Sequence, residues 1–263
     1  MIRAATALTL GCLLVAVYAC GGGSGSSLRL LLEPDLSQLP AGMDRASVMT
    51  QLTDTLTKRA ETYGASKAEV KPQDSDRLSV TLPGDIPKDE ARRLLTEKIA
   101  MELRWPALDV HGNIFCQGEA ALPFTVGADG VEYPSEGTPR LPTCRSGDRT
   151  GKIIWQDRNR EGELPAVQPV SPERANVDRT KSPIVLLTFG GEELKKVYET
   201  TKELQGLPMG IFIDGELRAA PTVQEPVVTG VLAIADLNLT DANILAAQMT
   251  GGTLPVPVKV VDG

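Results

Sequence analysis

Three places in the 263-residue chain bring together residue types that do chemistry. His111, the sole histidine, stands five residues before Cys116. An imidazole beside a thiol can draw off its proton and leave a thiolate nucleophile. The same Cys116 can instead pair with Cys144, which consumes the thiol. Asp157-Arg158-Asn159-Arg160-Glu161-Gly162 sets oxygen-bearing side chains at alternate residues ahead of a glycine, as a calcium loop begins. Such a loop closes on a bidentate Glu. Here Gln168 stands in that place, and Arg158 and Arg160 put positive charge among the ligands, so the segment reads as a polar hairpin tip. Gly190-Gly191 opens a helix whose first N–H groups could hold a phosphate. Glu192 and Glu193 would repel it and no Gly-Lys-Ser/Thr follows, so this reads as turn chemistry. A lone histidine suggests no Ser–His–Asp set. The expectation is a non-enzymatic protein with no metal and no cofactor.

The compartment decides between the two fates of Cys116. Arg3 precedes residues 4–19, which are almost wholly apolar and short of the roughly 20 needed for a typical span. Val17-Tyr18-Ala19-Cys20 follows, then a Gly/Ser run over 21–27. The small residue before a cut is the secretory pattern. With Cys20 it resembles a bacterial lipobox. That resemblance implies a signal peptide over 1–19, lipid (with palmitate-type acyl chains) on the Cys20 sulfur, and a flexible tether over 20–27. It also implies residence on the extracytoplasmic side of the cell membrane. An ordinary signal peptide and an uncleaved anchor are the alternatives. Cys12 would leave with the signal. Cys116 and Cys144 then remain as an even pair in an exported chain, which reads as one disulfide. It would close a loop rich in Pro and Gly, a staple of typically about 2–4 kcal/mol.

Composition sets the outer limits. A net charge of −7 argues against a nucleic-acid partner and against electrostatic adhesion to anionic lipid. Hydrophobic residues make up 41% and aromatics 4%, so the core must be mainly aliphatic. Residues 28–33 read as a strand. A helix over 44–63 aligns Met49, Leu52, Leu56, Ala60 and Tyr63 on one face, and Gly64 stops it. Strands at 68–71 and 78–82 follow, then a helix from Pro87 with Ala91, Leu94, Leu95, Ile99 and Leu103 as its stripe. Residues 101–105 turn extended. This order fits half of a ferredoxin-like α+β sheet. Residues 106–149 shift to Gly, Pro and Cys. Residues 152–156 and 164–170 look like a hairpin, and 171–180 like polar linker. A buried strand at 183–189, a helix over 191–204, a helix capped by Thr240 and a closing strand at 256–261 complete the reading.

The stretch 206–234 organises the rest. Ile211, Phe212 and Ile213 suit a buried strand. Asp214-Gly215 is the pair a two-residue type I′ turn requires. Pro221 interrupts the return strand, and Glu225-Pro226 forces an extended corner. The strand, the Asp-Gly turn, the Ala-Pro after it, the Glu-Pro corner and the following Gly230 resemble the signature of the exported P1 domain of SecD and SecDF. Residues 239–243, Gly252-Thr253-Leu254-Pro255-Val256-Pro257 and Arg77-Leu78-Ser79-Val80-Thr81-Leu82-Pro83-Gly84 extend that similarity, in the family's order. The resemblance implies a P1-like base over 28–105 and 254–263. It places an inserted region and α/β head over 106–253. It implies a non-enzymatic protein that assists protein export, with exported polypeptides or Sec translocase subunits as partners. It would carry polypeptide-binding roles to Asp214, Gly215, Pro221, Glu225 and Pro226, although Asp-Gly and Glu-Pro have sufficient local reasons as turns. After Cys20 no apolar run approaches a span, and the family's Gly-rich block near the start is replaced by 28–35. The alternative is a stand-alone envelope lipoprotein using the same fold for a structural or ligand-binding role.

Overall fold

The computed structural model describes residues 26–108, 114, 124–126, 132–134, 153–156 and 167–262. The signal segment, Cys20, His111, Cys116, Cys144 and residues 157–162 lie outside the described residues. In chain order the first half runs β1 (Ser27–Pro34), α1 (Arg45–Tyr63), β2 (Glu69–Pro72), β3 (Leu78–Pro83), α2 (Lys88–Thr96) and β4 (Met101–Arg104). Then come β5 (Phe124–Val126), β6 (Glu132–Pro134), β7 (Val167–Val170), β8 (Arg174–Asp178), β9 (Ile184–Thr188) and α3 (Gly191–Glu203). The last part holds β10 (Gly210–Ile213), β11 (Glu216–Ala219), β12 (Val231–Ile234), α4 (Leu239–Gly251) and β13 (Val258–Asp262).

Alternation along β1 and β3 turns Leu30, Leu32, Leu78, Val80 and Leu82 to one face, as period-two patterning requires. Onto that face pack Leu52 and Leu56 of α1 and Leu94 and Leu95 of α2, all fully buried. The Asp44 carboxylate accepts from Ser47 N at 2.7 Å and caps α1. The sheet is antiparallel in the order β13-β1-β3-β2. This is the split β-α-β arrangement of a ferredoxin-like fold, with the closing strand drawn from the far end of the chain. The expected return of that strand to the first sheet is what the structure shows.

The second half builds two further sheets, β11-β10-β4-β7 and β12-β9-β8. Their shared core holds Leu103, Val185, Leu187, Val197, Ile211, Ile213 and Ile234. Here β4 departs from the sequence reading that grouped it with the first sheet: it pairs with β10 and β7. The chain turns away because α2 stops at Thr96, three residues before Ile99 adopts φ 61°. Ile99 and Leu103 therefore leave the α2 stripe and join the second core. Of the expected hairpin over 152–156 and 164–170, the described residues 153–156 and 167–170 do not pair with each other: Trp155 bridges Pro106 and Val167–Val170 runs along β4. The expected linker at 171–180 contains β8, hydrogen-bonded to β9.

Helix α4 belongs to both cores. Ala247 packs in the first, and Ala242, Ala246 and Met249 pack in the second. Its N-cap is Asn238, whose side chain accepts from Asp241 N at 2.8 Å, two residues earlier than the expected Thr240.

Candidate functional site

Where the two cores meet, one side chain is fully buried and charged. Arg59 projects from α1 and donates to four backbone carbonyls. Its Nη1 reaches Leu94 O at 3.1 Å and Glu97 O at 2.7 Å. Its Nη2 reaches Lys98 O at 3.2 Å and Gly252 O at 2.7 Å, and Nε also points at Gly252 O, at 3.2 Å. These carbonyls lie at the end of α2, in the turn after it, and just past α4, where helix ends leave acceptors unfilled. Burial pushes the guanidinium down to about 10, while the Asp214 and Glu97 carboxylates pull it back up. It is charged at neutral pH, and its charge-assisted bonds offset the cost of taking it out of water.

Asp214 holds the same joint from the other side. Its oxygens accept from Ile99 N at 2.9 Å and Ala100 N at 2.8 Å, and its own N–H donates to Ala100 O at 2.8 Å. With φ 51° at Asp214 and 80° at Gly215, the turn has positive φ at both central residues, as the pair predicts. Thr253 Oγ1 donates to Ile99 O at 2.9 Å, and Leu254 N to Lys98 O at 3.1 Å. Gln248 adds a bond to Arg93 O at 2.7 Å. The turn over 97–100 is thus gripped by α1, the β10–β11 turn and the exit from α4 together.

The five residues singled out on the hairpin and corner separate by environment. Asp214 and Gly215 lie in the turn that anchors β10 to the joint. Pro221 and Glu225 are exposed and Pro226 is half-buried. The segment they bound is fixed from beneath. Val227 N donates to the buried Thr201 Oγ1 at 2.9 Å, and Val223 N donates to Leu207 O at 2.9 Å. It delivers the chain to β12 with Val228 left 70% exposed. Sequence reasoning missed Arg59, although its position, seven residues after Leu52 and three after Leu56, puts it on the buried stripe.

Two other features are locally accounted for. An open groove of about 840 Å³ lies between Glu33, Arg45, Asp74 and Arg77. Its walls pair among themselves: Arg77 with Asp74, and Arg45 with Asp76 at 2.9 Å. At the start of α3 the Glu193 carboxylate accepts from Ser171 N at 2.9 Å and pairs with Lys196. An acid of the chain itself thus stands at the helix start where a phosphate would sit.

Comparison with known proteins gives a consistent result. Residues 168–256 match the family described as SecDF, P1 head subdomain. The protein translocase subunit SecD of Syntrophobacter fumaroxidans is 26% identical over 219 residues, 82% of this chain and 38% of the relative. SecDF of Thermus thermophilus is 26% identical over 238 residues, 89% of this chain and 29% of the relative. The chain therefore spans about a third of the length of these curated relatives. A solved structure of SecDF, a membrane component that enhances protein export, matches with a TM-score of 0.55 and 22% identity. That match covers 90% of this chain and 99% of that one. SecDF in a super-membrane-facing form matches with a TM-score of 0.58, 20% identity and 90% of this chain against 30% of that one. The chain is similar to SecD and SecDF across most of its length and has the mixed α+β fold of the SecDF P1 domain.

Proposed function

From the premise that this chain is SecD-like across most of its length, we propose that it is an extracytoplasmic binding module that assists protein export. It handles polypeptides as they emerge, alone or beside Sec translocase subunits, and makes and breaks no covalent bond. The observation that carries this reading is the extent of the match: 90% of this chain aligns with 99% of a solved SecDF chain. Cys20 carries the lipid that tethers it, and Cys116 and Cys144 form the bond that closes the Pro- and Gly-rich loop. Pro221, Glu225 and Pro226 contact polypeptide directly. Asp214 and Gly215 serve the same surface by fixing the hairpin from which it hangs. Among the described residues no helix is long and apolar enough to cross a membrane.

The test is a pulse-chase of a secreted protein in cells lacking this chain. Maturation of the secreted protein slows, wild type restores it, and Cys20→Ala restores it poorly. Unchanged maturation without the chain would assign the fold to another envelope role.

A further inference from the structure

Among the described residues the three larger sheets present six edges: β13 and β2, β11 and β7, β12 and β8. Unpaired edges invite a further strand, and proteins commonly blunt them with charge, proline, bulges or cover. Five of these six are treated in that way. β2 holds Glu69 and Lys71 and ends in Pro72. β13 carries Lys259 and its register slips at Leu31/Leu32. β11 exposes Glu216 and carries Arg218, and Pro169 removes an N–H from β7. β8 is covered by α4: Ala175 N donates to Thr250 Oγ1 at 2.9 Å, and that hydroxyl lies 3.2 Å from Ala175 O.

β12 is the exception. It reads Val231-Leu232-Ala233-Ile234, with no charge and no proline. Phe189 N donates to Gly230 O at 2.8 Å, in the register that pairs Val231 with Thr188. Antiparallel ladders alternate, so Leu232 and Ile234 bond to β9 while the N–H and C=O of Val231 and Ala233 point outward. Among the described residues no group caps them. Val231 is 40% exposed and Val228, just before it, 70%. From 219 to 258 the chain has no Lys or Arg, and Glu225 and Asp236 stand exposed on either side of the strand.

We propose that β12 is the docking edge for polypeptide, which binds as an added antiparallel strand with apolar residues in its centre and basic residues at its ends. The inference rests on the polypeptide-handling reading above and names the edge that serves it. An edge of four residues is far smaller than the roughly 800 Å² per partner of a stable interface, so the complex is weak and readily released. Most of its bonds are to backbone, which makes it tolerant of sequence.

The test titrates isotope-labelled full chain with an acetylated peptide of alternating Val and Thr bearing Lys at both ends. Hydrogen exchange slows at the Val231 and Ala233 amides and is unchanged along β2 and β11. Ala233→Pro removes one outward N–H and spares the β9 ladder; it lowers affinity at least about tenfold. The same peptide N-methylated at alternate residues does not bind. Retained affinity in folded Ala233→Pro, protection at a different edge, or binding of the N-methylated peptide as tight as its parent overturns the proposal. So does protection of Val231 and Ala233 that grows with protein concentration alone, which would make the occupant a second copy. If Ala233→Pro does not fold, the N-methylated peptide decides. Docking at β12 without any export defect in the pulse-chase would keep the edge and remove the export role. The reverse pair of results would do the opposite.

Discussion

Arg59 and Asp214 do at the residue scale what no single element does. Arg59→Met keeps an unbranched side chain and removes all the donors; Lys98 O retains Leu254 N, and the carbonyls of Leu94, Glu97 and Gly252 lose the guanidinium. Each buried acceptor left without a partner costs about 1–3 kcal/mol, so urea unfolding should show a loss of at least about 3 kcal/mol. Asp214→Asn tolerates the positive φ but has one acceptor oxygen where Asp214 uses two. It should cost about 1–2 kcal/mol, and hydrogen exchange should quicken at Ile99 or Ala100. A third residue reports on pH. Burial pushes the Tyr63 hydroxyl up to about 12, and its hydrogen bond to Glu90 and the nearby carboxylate charge act in the same direction. A folded-state value above the unfolded one means stability that is full below about pH 10 and is lost as pH rises toward 12. The phenolate absorbance lost in Tyr63→Phe should have a midpoint near 12 in the folded protein. A midpoint at the ordinary 10 would mean the residue is solvated. Asp214 was legible because its turn is decided by two adjacent residues. Arg59 was not, because it binds carbonyls, which every residue carries and no sequence pattern marks.

At the scale of elements, α4 is able to serve two cores because it is thin. Ala242, Ala246 and Ala247 let it lie close to its neighbours, and Gly251 meets α1 most tightly. A Cβ at Gly251 would stand 2.3 Å from Arg59 Cγ and 3.1 Å from Thr55 O. Gly251→Ala should therefore destabilise by about 1–3 kcal/mol through overpacking, seen as a lower Tm; an unchanged Tm would show that α1 and α4 have room to separate. Most elements were readable from period and punctuation: α1 between Asp44 and Gly64, the β10–β11 hairpin at Asp214-Gly215, and α3 after Gly190. β8 was not, since Arg174, Asn176 and Asp178 give it the look of linker. Its strand character comes from β9, a few residues further along the chain, on one side and from Thr250, distant in sequence, on the other. The end of α2 was misread for a related reason. Ile99 and Leu103 continue the helical spacing, but Asp214 and Arg59 hold the backbone at 97–100 out of the helix.

The whole molecule joins a ferredoxin-like first half to an insertion-built second half, with the last strand closing the first sheet. The joint anchors the β10–β11 hairpin through Asp214, Leu207 O and Thr201 Oγ1 hold the corner that follows it, and β9 supports β12. The proposed contact with exported chains falls on that surface. The most direct measurement places a photo-reactive amino acid at Glu225 of the full chain in intact cells, then identifies what is captured after irradiation. The expected capture is newly exported polypeptides, with Sec-channel subunits beside them, and a much weaker yield when the same group is placed at Lys71 on the far edge of the first sheet. Capture of one unrelated envelope protein, or equal yields from the two positions, would contradict it.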